Sequence, residues 1–265
     1  MKLTSAPSPK SILITGASSG IGAALALEYA APGITLFLSG RNSQRLQKMA
    51  KACVSKGATV EITALNVADD TAMRRWISGC DRRYPLDLVI ANAGISGGPK
   101  GALGESEEDV RQIFDINLAG VLNTVHPAID LMRPRKNGQI ALVSSLAGYR
   151  GLPSAPAYSA SKAAVKAYGE ALRGQLRRSG IAISVICPGF VKSRITDSNT
   201  FPMPFLMDTP KAARIIRKRL QARRAVIAFP WPMRLILGTM RALPSRLALP
   251  LLSGLPKKGS KSAGV

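Results

Sequence analysis

Tyr158 and Lys162 stand four residues apart, with Ser-Ala-Ser between them and an Ala-rich run after them. On a helix, positions i and i+4 share a face, so the lysine ammonium would sit beside the tyrosine phenol. A free phenol titrates near pH ~10, too high to trade protons near neutrality. A neighbouring cation favours the phenolate and lowers that value, which suits a general acid/base. By itself the pair says little. Helices carry it by chance, with the tyrosine exposed and the lysine solvated. Its weight comes from the residues that accompany it.

The elements that would carry such a pair follow from the hydrophobic pattern. A short apolar strand over residues 11–15 runs directly into Gly16-Ala-Ser18-Ser19-Gly20-Ile21-Gly22 and then a helix over 23–31. Strand, Gly-rich turn and helix make the phosphate-binding start of a doubly wound fold. Glycines let the backbone approach a pyrophosphate, and the helix N-terminus supplies N–H groups and partial positive charge. The second strand, over 34–39, ends at Gly40-Arg41-Asn42. An acidic residue here would meet a ribose 2′-hydroxyl, whereas arginine accommodates a 2′-phosphate. Arg41 and Arg45 are present and no carboxylate is near, which favours NADP(H) over NAD(H) unless Arg41 is only a surface charge flanking the helix.

Helix over 43–56, strand over 59–65, helix over 70–83 and strand over 87–91 follow. That alternation means a parallel sheet with helical crossovers. The strand ending at Ala91 enters Asn92-Ala93-Gly94, a turn at the carboxyl end of a strand, where ligands bind in such sheets. A Gly-rich loop over 95–104 precedes one long helix over 106–132 that carries Asn117. A fifth strand over 139–144 leads to Ser144-Ser145, a loop spans 146–156, and the Tyr158 helix begins. A sixth strand over 181–187 enters Pro188-Gly189-Phe190-Val191, and 226–229 is a seventh. The expected fold is α/β: a doubly wound, mostly parallel seven-stranded Rossmann sheet with helices on both faces. It forms a single domain over residues 1–229 with a C-terminal amphipathic extension over 230–265.

Composition narrows the class. A chain of 265 residues is long enough for one large domain with a buried core. Cys53, Cys80 and Cys187 are odd in number and scattered, which argues against a disulfide framework and for a reducing, cytoplasmic setting. His126 is the sole histidine, and no Cys or carboxylate cluster lies near it in sequence. No metal is assigned. The net charge of +22 should attract anionic partners. Nucleic acid is not among those expected to be specific, because no reading motif appears and aromatics make up only 5%.

Thr15 with its glycine turn, Asn92-Ala93-Gly94, Asn117, Ser145, Tyr158-x-x-x-Lys162 and Pro188-Gly189 occur in order. Together they resemble the short-chain dehydrogenase/reductase family, over about residues 10–224. In that family the catalytic serine lies thirteen residues before the tyrosine, a count that lands on Ser145. The resemblance implies that Tyr158 exchanges a proton with the substrate oxygen and Ser145 polarises the carbonyl. It implies that Lys162 lowers the tyrosine pKa and binds the nicotinamide ribose, and that Asn117 holds a water in the proton relay. It also places the cofactor on Gly16, Ser18, Ser19, Gly20, Ile21, Gly22, Arg41, Asn66, Val67, Asn92, Ala93, Gly94, Tyr158, Lys162, Pro188, Gly189, Val191 and Ser193. Two departures stand out. Asn66-Val67 replaces the family's Asp-Val near the adenine, and Ser193 replaces a threonine while keeping a hydroxyl for the nicotinamide amide.

The implied activity is an NADP(H)-dependent oxidoreductase that interconverts a ketone or aldehyde and an alcohol. Family analogy adds a homo-oligomer, dimer or tetramer. The segment over 195–207 corresponds to the family's substrate lid, and its Phe201-Pro-Met-Pro-Phe-Leu-Met207 suits either a greasy substrate or packing on the core. A helix over 210–224 is basic without an acid. The tail after Pro230 mixes apolar residues with Trp231, Arg234, Arg241 and Arg246, and no run is long enough to span a membrane. Three fates suit it: lying in an anionic membrane interface, contacting a second subunit, or covering the substrate pocket. Residues 257–265 make a frayed polar end. The rival to an enzyme is a non-catalytic dinucleotide sensor or membrane-surface scaffold, which would not need Asn117, Ser145, Tyr158 and Lys162 together.

Overall fold

The computed structural model describes residues 8–96, 105–197 and 202–253. Most of the Gly-rich loop over 95–104, part of the lid segment and the polar end therefore lie outside the described residues. Seven strands pair in one parallel sheet: β1 (Ser11–Ile14), β2 (Thr35–Gly40), β3 (Thr59–Ala64), β4 (Leu88–Ala91), β5 (Gly138–Val143), β6 (Ile181–Pro188) and β7 (Val226–Phe229). Their spatial order is β3-β2-β1-β4-β5-β6-β7. The helices are α1 (Gly20–Tyr29), α2 (Ser43–Val54), α3 (Asp70–Arg83), α4 (Glu107–Phe114), α5 (Gly120–Arg135), α6 (Pro156–Gln175), α7 (Arg194–Asp197), α8 (Thr209–Gln221), α9 (Trp231–Ala242) and α10 (Ser245–Ser253).

The central strands are apolar on both faces because both faces are covered. Leu13 lies in register with Phe37 and Val89 and packs with Met73, Ile77, Val121 and Val165 of α3, α5 and α6. Its neighbours Ile12 and Ile14 point the other way, into a core with Leu25, Leu46 and Ile216 of α1, α2 and α8. That is the doubly wound arrangement. Helix starts follow local chemistry: Asn42 Oδ1 accepts from Arg45 N at 2.8 Å, Asp69 Oδ1 accepts from Ala72 N at 2.9 Å, and Ser106 with Asp109 forms a reciprocal capping box.

Three expectations are revised. The single helix over 106–132 is two helices joined by a π turn, Asp115–Ala119, which contains Asn117. A π turn widens the backbone ring and so turns a side chain that an unbroken α-helix would aim elsewhere. The loop over 146–156 contains a 3₁₀ turn, Leu146–Gly148. Helix α6 starts at Pro156, ahead of Tyr158, because proline's fixed φ suits a first helical turn. The strand order places β1 between β2 and β4, so the chain switches direction there. The crevice at the carboxyl ends of these strands opens at that switch.

Candidate active site

The glycine turn after β1 is built by packing against the turn after β4. Thr15 Oγ1 accepts from the backbone N–H groups of Asn92 and Ala93 at 3.0 and 3.1 Å. Asn92 Nδ2 returns hydrogen bonds to the Thr15 and Gly16 carbonyls at 2.9 and 3.2 Å. This knits the first turn to the Asn92-Ala93-Gly94 turn. Gly16 has φ +67°, and a Cβ there would come within 2.8 Å of Ala93 Cα, so no other residue fits. Helix α1 begins at Gly20 with no side-chain cap and no acid in its first turn. Its N–H groups and dipole are thus left to face the cleft.

One cleft of about 770 Å³ runs along the strand ends. Gly16, Ser18, Ser19, Gly20, Ile21, Arg41, Asn66, Val67, Asn92, Ala93, Gly94, Ser145, Tyr158, Lys162, Pro188, Gly189, Val191 and Ser193 all line it. Two expected residues do not. Gly22 lies behind the turn, where a Cβ would come within 2.5 Å of Asn92 Nδ2 and the Gly16 carbonyl. Asn117 is fully buried beneath the floor. Its Oδ1 accepts from Ile95 N at 2.8 Å, and its Nδ2 donates to the Ile95 carbonyl at 2.9 Å and to Ser161 Oγ at 3.1 Å. The π turn thus ties the loop after β4 to α6.

At the centre, Ser145 follows β5 and lines the cleft together with Tyr158. The Ser145 Oγ accepts from Ala147 N at 3.1 Å and donates to the Pro188 carbonyl at 3.4 Å. It is therefore held from two sides. Its neighbour Ser144 is used differently, donating to the Lys162 carbonyl at 2.6 Å and pinning α6 to β5. Lys162 is buried, with Nζ 5.9 Å from the centre of the Tyr158 ring. Nζ donates to the Val143 carbonyl at 3.0 Å. Burial pulls its ammonium down to about 8, against a smaller upward pull from the Cys187 thiol. Burial pushes the Tyr158 phenol above its ordinary value, and the Ser145 hydrogen bond pulls it back. The adjacency expected of Tyr158 and Lys162 is there. The ammonium is also held by the Val143 carbonyl, which fixes its place beside the ring.

One contributor carried no signal in the sequence. Glu105 caps α6 from outside: its carboxylate accepts from Ala157 N at 2.6 Å and from Tyr158 N at 3.4 Å. A cap some fifty positions upstream leaves no local pattern. Arg45 lines the cleft with its Nε buried and without a hydrogen-bond partner among the described residues. Met233, Leu237 and Met240 of α9 and Leu252 of α10 also line the cleft. The tail therefore does cover the pocket, as one of its three expected fates required.

The short chain dehydrogenase family model matches residues 10–202. The chain belongs to the short-chain dehydrogenase/reductase family. An oxidoreductase of Myxococcus xanthus is 41% identical over 239 residues, covering 90% of this chain and 94% of that protein. The 3beta-hydroxysteroid dehydrogenase of Mediterraneibacter gnavus is 34% identical, covering 72% of this chain and 69% of that protein. A short-chain dehydrogenase from Sphingobium yanoikuyae, solved with NADPH, has the same fold at TM-score 0.78. It is 21% identical and covers 96% of this chain and 99% of that one. This short-chain dehydrogenase is thus an oxidoreductase by family.

Proposed function

We propose that this short-chain dehydrogenase interconverts a lipophilic ketone or aldehyde and its alcohol with NADP(H), using Tyr158 as the general acid/base. The observation that carries this reading is the convergence of Ser145 and Tyr158 on one wall of the cleft, with the buried Lys162 Nζ 5.9 Å from the centre of the Tyr158 ring. Reducing a carbonyl builds alkoxide character on its oxygen. A phenol that burial keeps protonated through neutrality can give that oxygen a proton. A serine hydroxyl held in place gives it a second hydrogen bond, as an oxyanion hole does. The dinucleotide, when bound, supplies or accepts the hydride.

The residues fit that group. Gly16 leaves a cradle that a Cβ would fill, and α1 presents an uncapped N-terminus beside it. Arg41 and Arg45 line the cleft beyond β2, and the orphaned Nε of Arg45 is a donor suited to a 2′-phosphate. Asn66, Val67, Asn92, Pro188, Gly189, Val191 and Ser193 would hold the rest, with Tyr158 and Lys162 on the nicotinamide ribose. Asn117 would act in the proton relay from below the floor. The apolar lining from Leu146, Leu152, Phe205, Met233, Leu237 and Met240 supports a greasy substrate, as does the steroid dehydrogenase among the relatives. A body over residues 1–229 with an extension over 230–265, a second copy of the chain, a cytoplasmic setting and attachment of the tail to an anionic membrane complete the proposal.

An NADPH-oxidation screen over acyl, steroid, sugar and quinone carbonyls, with and without detergent, tests it. Turnover of an apolar carbonyl that disappears in Tyr158→Phe, with NADPH binding retained, is the expected result. Full activity in Tyr158→Phe sinks the mechanism.

A further inference from the structure

We infer that α9 carries a second site on the face turned away from the cleft: a groove that seats an anionic phospholipid headgroup and docks the chain on a bilayer. This rests on the membrane attachment proposed above and names where it happens. The groove, about 580 Å³, lies between Tyr149 and the outer face of α9 and is lined by Trp231, Arg234, Leu235, Gly238 and Thr239. Its chemistry is mixed in the manner of an interface. Trp231 is 72% exposed and Leu235 58%, neighbouring apolar groups on one helix face that a bilayer interface would cover. Beside them stands the Arg234 guanidinium, while the Thr239 hydroxyl is turned back onto the Leu235 and Ile236 carbonyls. An exposed aromatic body with a cation alongside matches a phosphate head above its first methylenes.

Charge selects the partner. From residue 209 to the C-terminus the sequence has thirteen Lys and Arg and no Asp or Glu. Among the described residues, Arg234, Arg241 and Arg246 have no acidic partner. A second copy would bring the same uncompensated positive charge to this face and be repelled. A nucleic acid backbone would answer the arginines but leave Trp231 and Leu235 in water. An anionic bilayer satisfies both the cations and the apolar residues. Leu247 and Leu251 of α10, one helical turn apart and both more than half exposed, extend the same composition.

The position of the groove has a consequence for the site. The inner face of α9, with Met233, Leu237 and Met240, closes the cleft. Ile236, between the two faces, lines the cleft and is 53% exposed, as is Phe205 of the lid segment. The mouth of the cleft is therefore apolar and shares a helix with the docking groove. A carbonyl dissolved in the bilayer enters without first crossing water.

The test uses the full chain and vesicles of equal parts phosphatidylcholine and phosphatidylglycerol. All three native cysteines are buried, so an environment-sensitive dye can be placed on Leu235→Cys. A reference dye goes on Lys48→Cys, on α2 at the opposite edge of the sheet. The chain should cosediment with the vesicles, and salt should weaken this. The dye at 235 should shift to the blue and be quenched by spin-labelled lipid, while the dye at 48 should not respond. Combined Trp231→Ser, Arg234→Ser and Leu235→Ser should weaken partitioning by more than about tenfold while the thermal midpoint holds. If that variant does not fold, Trp231→Ser alone and the two dyes still decide. A chain that stays in the supernatant overturns both the groove and the membrane attachment, as does capture by an acidic protein with no binding to lipid. Vesicle binding that the groove substitutions leave intact, or two dyes that respond alike, overturns the groove and leaves attachment through α8 standing.

Discussion

At the scale of single residues, the site divides a task between a half-buried phenol and a buried ammonium whose protonation is pushed in opposite senses. Burial holds Tyr158 protonated and draws Lys162 toward neutrality, to about 8. For Lys162 the folded pKa lies below the ordinary 10.5. Its charge is therefore unfavourable to the fold below pH 8. Between 8 and 10.5 the unfolded chain holds a proton that the folded chain has released, so stability rises with pH across that window. Lys162→Met removes the effect. The variant should gain stability over the native chain by up to about 3 kcal/mol at pH 7, with the difference shrinking as pH rises toward 10.5 in denaturant titrations. A second expectation concerns binding. If the Lys162 cation holds the cofactor ribose, NADPH affinity should weaken above pH 8, and that step should vanish in the variant. Arg41→Asp should shift preference toward NADH by roughly tenfold, about 1.4 kcal/mol, measured as the ratio of kcat/KM for the two cofactors. An unchanged preference refutes its assignment to the 2′-phosphate.

At the scale of elements, α6 is the piece that must be placed, and it is held at both ends of its first two turns. Ser144 fixes the Lys162 carbonyl and Glu105 caps the N–H groups of Ala157 and Tyr158. Asn117, through Ser161, ties the turn between them to the loop after β4. Glu105→Ala should lower stability by about 1 kcal/mol, the usual worth of a helix cap, read as a fall in thermal midpoint. Glu105→Asp should recover part of it. A midpoint unmoved by Glu105→Ala would mean that the cap adds nothing. The expected long helix failed for a local reason. Its amphipathic pattern persists on both sides of residues 115–119, so periodicity alone cannot see an added residue per turn. Gly120 is the trace of it: a Cβ there would strike Val67 at 2.5 Å, and α5 can approach the loop after β3 only without one.

At the scale of the whole molecule, the tail completes a wall of the cleft that the parallel sheet leaves open. Leu146, Cys187 and Ala228 of the body pack with Leu237 of α9 in a small core of their own. Removing residues 231–265 should expose that core and open the cleft. The expected result is a fall in kcat/KM for an apolar carbonyl by more than about tenfold, because burying one large apolar side chain is worth about 1.5–3 kcal/mol. NADPH affinity should change far less, because the phosphate turn lies at the other end of the cleft. Equal loss for both would show that the tail supports the fold at large and not the substrate end.

The sheet, its crossovers and the glycine turn at the end of β1 were legible in the sequence because they rest on contiguous signals. Short apolar strands, a Gly-rich turn with a helix after it, and Tyr158 spaced four from Lys162 are all local patterns with a physical cause within a few residues. The tertiary structure decided what depends on contacts between distant residues. It buried Lys162 beside the Tyr158 ring and tied its ammonium to the Val143 carbonyl. It brought Glu105 to the start of α6 and turned Asn117 beneath the cleft. It also gave α9 two faces, one on the cleft and one outward. No spacing rule encodes these, since each depends on where the folded sheet brings two stretches of backbone together.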